Sequence, residues 1–231
     1  NRDEQYGRAW EPPAAHWPER PEVVAPMDEL GGGSWFGVNR YGLVAAVANR
    51  IGTLGPVKGK RSRGELVLEA LEHADVDTAI GALADLEPAA YRGFNLFIGG
   101  PDGAYWVAHR EDMAGMAVDA VPPGLHMLTS GELDDPGDAR IAYHRPRFQA
   151  AEVPDPETGD WAAWENLLAD PDPADDRPET AMSLVLDGFG TVCSQLAAIP
   201  RYPGYGLGPV FRFAPGPPHR TLFEDVAIPE G

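Results

Sequence analysis

The chain reads as an α+β layered sandwich, and three observations carry that reading. Two pairs of apolar runs, Trp35–Val38 with Leu43–Val47 and Gly93–Ile98 with Ala104–His109, are each joined by a glycine-containing turn, the pattern of a β-hairpin. Between them, from Ser62 to Leu86, the apolar period changes to that of short amphipathic helices. Sheet, paired helices and sheet again is not the alternation that builds a parallel α/β fold. The 231 residues suffice for one domain, residues 1–231, with a sizeable core, and 27 glycines with 24 prolines imply many turns.

Taken in order, residues 1–30 read as extended backbone broken by Pro12, Pro13 and Pro18, because proline and the residue before it disfavour helix. Trp10 and Trp17 then coat a core or line a groove. Gly31–Gly33 let the backbone approach another strand or a ligand closely. In the first hairpin Asn39 opens the turn and Gly42 closes it. Asn49 ends the second strand and either caps the loop that follows or points into a site. Ile51–Arg63 is a polar loop whose Lys58, Lys60, Arg61 and Arg63 form the basic cluster of the chain, a solvated loop or a seat for an anion.

Ser62 as N-cap with Glu65 three residues on predicts a capping box, followed by the stripe Leu66, Val67, Ala70 and Leu71. Val76–Leu86 predicts a second helix. After the second hairpin come a strand over Gly124–Thr129, a helix over Pro136–Ala151 that Pro146 delays or kinks, and a helix over Asp160–Ala169. Strands return over Met182–Leu186, Thr191–Ile199 and Val210–Phe213.

With 36 acidic against 18 basic residues the formal charge is −18, which disfavours nucleic acid and anionic membranes as partners. No apolar run reaches transmembrane length. One cysteine, Cys193, excludes an internal disulfide and fits a reducing compartment, the cytoplasm. Its place in an apolar strand predicts an inert buried thiol. Six scattered histidines lack metal-ligand spacing, and no phosphate-cradling loop is present. The start on Asn rather than Met suggests that the true N-terminus lies upstream. Within Asn1-Arg2-Asp3-Glu4, Arg2 and Asp3 either hold each other as an ion pair or orient a nucleophile.

Six segments in order, Asn1-Arg2-Asp3-Glu4, Gly32–Val38, Ala48-Asn49, Ser62–Leu66, Gly93-Phe94-Asn95-Leu96 and Phe189-Gly190-Thr191, resemble the NRDE family, also called transport and Golgi organisation protein 2. The resemblance implies a four-layer αββα sandwich like that of the N-terminal nucleophile hydrolases, with the first strand missing ahead of Asn1. In relatives of the choloylglycine hydrolase type an N-terminal cysteine attacks an amide, supported by an Arg/Asp pair and an Asn. Carried over, these are Arg2, Asp3 and Asn49, with Asn1, Glu4, Trp35, Ser62, Arg63 and Ser130 as ligand-binding candidates. Ser130 stands where many members have Asn, and Val192 where many have Arg.

Asn1 offers no side-chain nucleophile. The resemblance therefore implies a ligand-handling protein, in haem trafficking or Golgi and membrane organisation, ahead of an amidohydrolase or acyltransferase whose nucleophile precedes Asn1. No cofactor is evident; haem is expected as a transported ligand, touching Trp10 and Trp17, although no Cys-Pro or paired-His ligand pattern is present.

Overall fold

A computed structural model of the protein describes residues 1–201 and 208–229. In chain order the strands are β1 (Arg2–Gln5), β2 (Trp10–Ala14), β3 (Val23–Asp28), β4 (Phe36–Asn39), β5 (Val44–Asn49), β6 (Phe94–Gly100), β7 (Gly103–His109), β8 (Ala117–Ala120), β9 (Phe189–Ala198), β10 (Val210–Ala214) and β11 (Glu224–Asp225). Helices α1 (Gly64–Leu71) and α2 (Val76–Ala84) follow β5, and α3 (Ala139–Ala150) and α4 (Ala162–Leu168) follow β8. The architecture is α+β, with a seven-stranded sheet in the order β2-β3-β4-β5-β6-β7-β8 and a four-stranded sheet in the order β1-β9-β10-β11.

The chain divides into two compact units. One comprises Asn1–Arg8, Gly124–Leu196 and Arg212–Asp225; the other holds the remaining described residues, chiefly Ala9–Pro123. The larger unit contains the seven-stranded meander and α1 with α2. Alternation along its strands sorts two faces. Val23, Ala25, Ala45, Phe94, Leu96 and Ile98 meet Leu66, Val67, Leu71 and Leu83 of the helices in one buried cluster. Val24 and Val38, one residue out of step, join Phe211 on the other face, with Phe36 5.5 Å from Phe211 ring to ring.

Both hairpins form as the sequence predicts. In the first, Gly42 adopts φ +92°, which a side chain would resist. Asn39 does more than open this turn. Its side chain is wholly buried; the amide donates to Leu71 O at 2.9 Å and His73 O at 2.8 Å, and its oxygen accepts from Tyr41 N at 3.0 Å and Leu43 N at 2.9 Å. One residue thereby closes the hairpin and fastens it to the carbonyls at the C-terminal end of α1, which have no partner within the helix. At the other end of α1 the glycines act. A Cβ on Gly33 would overlap the Gly64 carbonyl, and one on Gly64 would lie 2.9 Å from Ser34 N. The close approach is thus to the start of α1, not to a strand or a ligand.

Other expectations need correction. The N-terminal stretch is extended as expected, forming strands β1 to β3, but Trp17, expected to touch haem, is buried and donates its indole N–H to Gly32 O at 3.1 Å. No capping box forms: Arg63 precedes α1 in helical conformation, Ser62 Oγ accepts from Gly64 N, and Glu65 pairs with Arg61 instead. Gly124–Thr129 is not a strand. Asp134 takes Met127 N at 2.8 Å and Met127 O receives Asp134 N, so the groups a sheet would pair are engaged locally. Met182–Leu186 makes one bridge, Val185 to Gly190, because Leu184 N is held by the Thr191 hydroxyl and the chain turns directly into β9. Strand β8 lacks any apolar run to announce it. Helix α3 begins late at Ala139, capped by Asp138 on Arg140 N and Ile141 N, and it contains Pro146.

Replacing Asn39 with Ala removes four hydrogen bonds from a buried site. At about 1 kcal/mol each, a loss of about 3–4 kcal/mol is expected in urea or guanidinium unfolding. Asn39→Asp, which keeps the acceptor and loses both donors, is expected to be no better, because it also buries a charge.

Candidate functional site

The smaller unit holds the Asn1-Arg2-Asp3-Glu4 segment on β1, paired antiparallel with β9. The register runs Arg2 with Cys193 and Asp3 with Thr191, so Val192 is the extra residue of a bulge. The bulge lets Arg2 and Asp3, adjacent in sequence, each face a polar or sulfur-bearing residue of β9.

Every polar group of Asn1's side chain is engaged. Its amide donates to Met182 O at 2.6 Å and Leu168 O at 2.9 Å, and its oxygen accepts from Ser194 Oγ at 2.5 Å. Asp3 receives the Thr191 hydroxyl on Oδ1 at 2.6 Å and the Arg140 guanidinium on Oδ2 at 2.8 Å. Arg2 is buried, with one nitrogen 3.7 Å from Glu4, and Glu4 also lies 3.5 Å from Arg8. Arg2 and Asp3 are therefore held by different partners rather than paired with each other. Cys193 is buried, as expected. Burial pushes its thiol up to about 11 against the pull of the nearby Arg2 guanidinium. Among the described residues no cluster of three or more His, Cys, Asp or Glu side chains is arranged to hold a metal.

The remaining candidates are dispersed. Ser130 is half-buried in the loop before α3, next to Thr129, whose hydroxyl donates to Asp138 at 2.6 Å. In the larger unit Asn49 ends β5 half-buried and pairs with Phe94. Paired residues share a face, so Asn49 lies with Phe94 on the helix-covered side. Arg63 is a clasp: one nitrogen donates to Thr53 O at 2.8 Å, Thr53 Oγ1 at 3.0 Å and Gly93 O at 3.0 Å. Ser62 backs the glycine turn, and Trp35 stands edge-on to Trp10 at 6.0 Å.

Two features escaped the sequence reading. Asn95, on the face opposite Phe94, is fully buried and accepts from Arg50 at 2.6 Å and from the Trp106 indole at 3.2 Å. The signal was a lone amide in the run Phe94-Asn95-Leu96-Phe97. In the smaller unit Ser183 lies 2.6 Å from His219 Nδ1, a Ser–His contact distributed over 36 residues. Ser183 is fully buried, so that contact anchors the chain and exposes no hydroxyl.

Residues 1–153 match the family model described as Transport and Golgi organisation 2. No curated protein matches the chain. Among solved structures the chain is similar to a Caenorhabditis elegans N-acylethanolamine-hydrolyzing acid amidase ortholog, at 12% identity and a TM-score of 0.49 over 78% of this chain and 82% of that one.

Asp3→Asn keeps the shape and removes the charge that Arg140 and Thr191 address; a loss of about 2–3 kcal/mol is expected in denaturant unfolding. Cys193 gives a second expectation. The unfolded thiol ionises in its ordinary range while the folded one keeps its proton to about 11. Stability present below the ordinary thiol range is therefore lost as pH rises towards the folded value, by about 2–3 kcal/mol in all. Cys193→Ala should lack this component when the two proteins are unfolded side by side across that range. A thiol reagent should label the native protein slowly and the unfolded protein fast.

Proposed function

Because the chain belongs to the transport and Golgi organisation 2 family, we propose that it handles a small-molecule ligand, binding it and passing it on, with haem as the first ligand to test. The observation that carries this reading is the closed bonding of Asn1 and Asp3, in which the side-chain oxygens and the amide already have protein partners. Groups engaged in this way form a stiff wall. To act on a substrate they would first have to break those bonds. The chain's one thiol, held protonated, adds to the same argument. In the larger unit Trp35 and Trp10 offer ring surface for an apolar macrocycle, and Asn49 and Ser62 are the proposed polar contacts. The proposed setting is the cytoplasm, with no nucleic acid as partner. Among the described residues no helix is long and apolar enough to cross a membrane.

A transfer protein holds its cargo weakly, so titration with haem is expected to shift the Soret band in the micromolar range. Trp35→Phe should weaken the shift, and no spectral change at high micromolar protein rejects the reading.

One observation favours a second reading, an amidohydrolase or acyltransferase. Asp3 sits between a guanidinium and a hydroxyl beside Arg2, an arrangement that orients its carboxylate. That reading needs a nucleophile supplied from outside residues 1–231. Turnover of a chromogenic acyl amide that is lost in Asp3→Asn would establish it.

A further inference from the structure

Residues 30–64 contain no Asp or Glu, although the chain has 36 acidic residues. Within them lie Arg40, Arg50, Lys58, Lys60, Arg61 and Arg63, and Lys58 and Lys60 are the two lysines among the 231 residues. The loop joining β5 to α1 thus concentrates positive charge in an otherwise acidic molecule. It also exposes aliphatic side chains: Ile51 is 79% exposed, Leu54 59% and Val57 46%. Side chains so accessible project from the surface; they do not line a pocket.

The loop is braced from within, and the bracing aims these side chains outward. Arg92 donates to Leu54 O and Gly52 O, each at 2.8 Å, and to Gly55 O at 3.3 Å, gathering the carbonyls of the loop around one guanidinium. The Thr53 side chain points in, donating to Gly93 O at 2.9 Å, where Arg63 also binds. Gly52, Gly55 and Gly59 take φ between +77° and +87°, conformations that put the turns where the aliphatic residues are not. Arg61 stacks 5.2 Å over the Tyr91 ring and pairs with Glu65, Lys60 Nζ donates one of its three protons to Ala89 O at an exposed position, and Lys58 stays exposed.

We propose that this loop is a membrane-docking element that seats Ile51, Leu54 and Val57 among the acyl chains of an anionic bilayer while Lys58 and Lys60 meet the headgroups. Aliphatic side chains flanked by lysines have the chemistry of interfacial anchors. The overall charge of −18 does not forbid it. At physiological ionic strength charges more than about 8 Å from the surface are largely screened, and the two carboxylates beside the loop, Glu65 and Glu111, are paired with Arg61 and Arg92. The occupant is a phospholipid surface: soluble anions would use the lysines and leave the three aliphatic side chains in water.

Flotation of the full chain with phosphatidylcholine vesicles, with and without phosphatidylserine, tests this. Binding is expected only where phosphatidylserine is present. Lys58→Ala with Lys60→Ala should lower it by about twenty-five-fold, at about fivefold for each lysine. Ile51→Asp with Leu54→Asp should abolish it. All four positions are exposed, so circular dichroism and thermal unfolding are expected to be unchanged. Equal binding to both vesicle types, no binding to either, or full binding by the aspartate variant overturns the proposal. Competition by inorganic phosphate without any vesicle binding would also overturn it and leave a simple anion site. Haem titration of the same variants separates this loop from the ligand-handling reading, since they should bind haem like the parent chain.

Discussion

The side chain of Asn39 is the constraint on which the larger unit depends. A strand ending beside a helix end leaves two sets of backbone groups to satisfy: the amides of the turn and the last carbonyls of the helix. Asparagine carries donors and acceptor on one short planar group, so it can serve both at once. Its amide takes the carbonyls of Leu71 and His73 while its oxygen takes Tyr41 N and Leu43 N. The hairpin and α1 are therefore fixed relative to each other by one side chain at one end. At the other end Gly33 and Gly64 fix them by the absence of side chains, with Ser34 N donating to Gly64 O at 3.1 Å.

A second theme is the use of arginine. In an acidic chain most guanidinium groups would be expected on the surface facing carboxylates. Several also bind backbone carbonyls from inside loops: Arg63 on Thr53 and Gly93, and Arg92, which pairs with Glu111 as well, on Gly52, Leu54 and Gly55. Arg212 combines the two habits, pairing with Glu165 and Asp225 while donating to Phe223 O at 3.2 Å. A rigid fork of five donors suits loops that lack the regular partners of helix and sheet.

Much of the fold was legible in the sequence because its signals are local. The hairpins announce themselves through apolar alternation and Gly42, and β9 and β10 through apolar runs. What could not be read depends on distant partners. Asp134 and Met127 consume each other's backbone groups, which removes a strand that the run Gly124–Thr129 suggests. The Thr191 hydroxyl does the same for Met182–Leu186. The candidate site was legible only in part. Asn1 and Asp3 do sit in a polar network, yet their partners Arg140, Thr191 and Ser194 lie far along the chain, and no spacing in the sequence pairs them. Arg63 looked like a ligand contact and is a loop clasp, whereas Asn95 looked like a strand residue and is a buried hydrogen-bonding centre. Side-chain chemistry was readable in both; which groups it would meet was not.

The pairing of Lys58 and Lys60 in one loop has a practical corollary. Side-chain primary amines are the usual target of acylating reagents, cross-linkers and activated surfaces, and here both occur within three residues. A support that couples through lysine would therefore hold the protein by the segment between β5 and α1, in one orientation. A fluorophore attached the same way would report on that loop and on no other lysine. For a molecule of 231 residues that is an unusual degree of regiochemical control, and it follows from charge distribution alone.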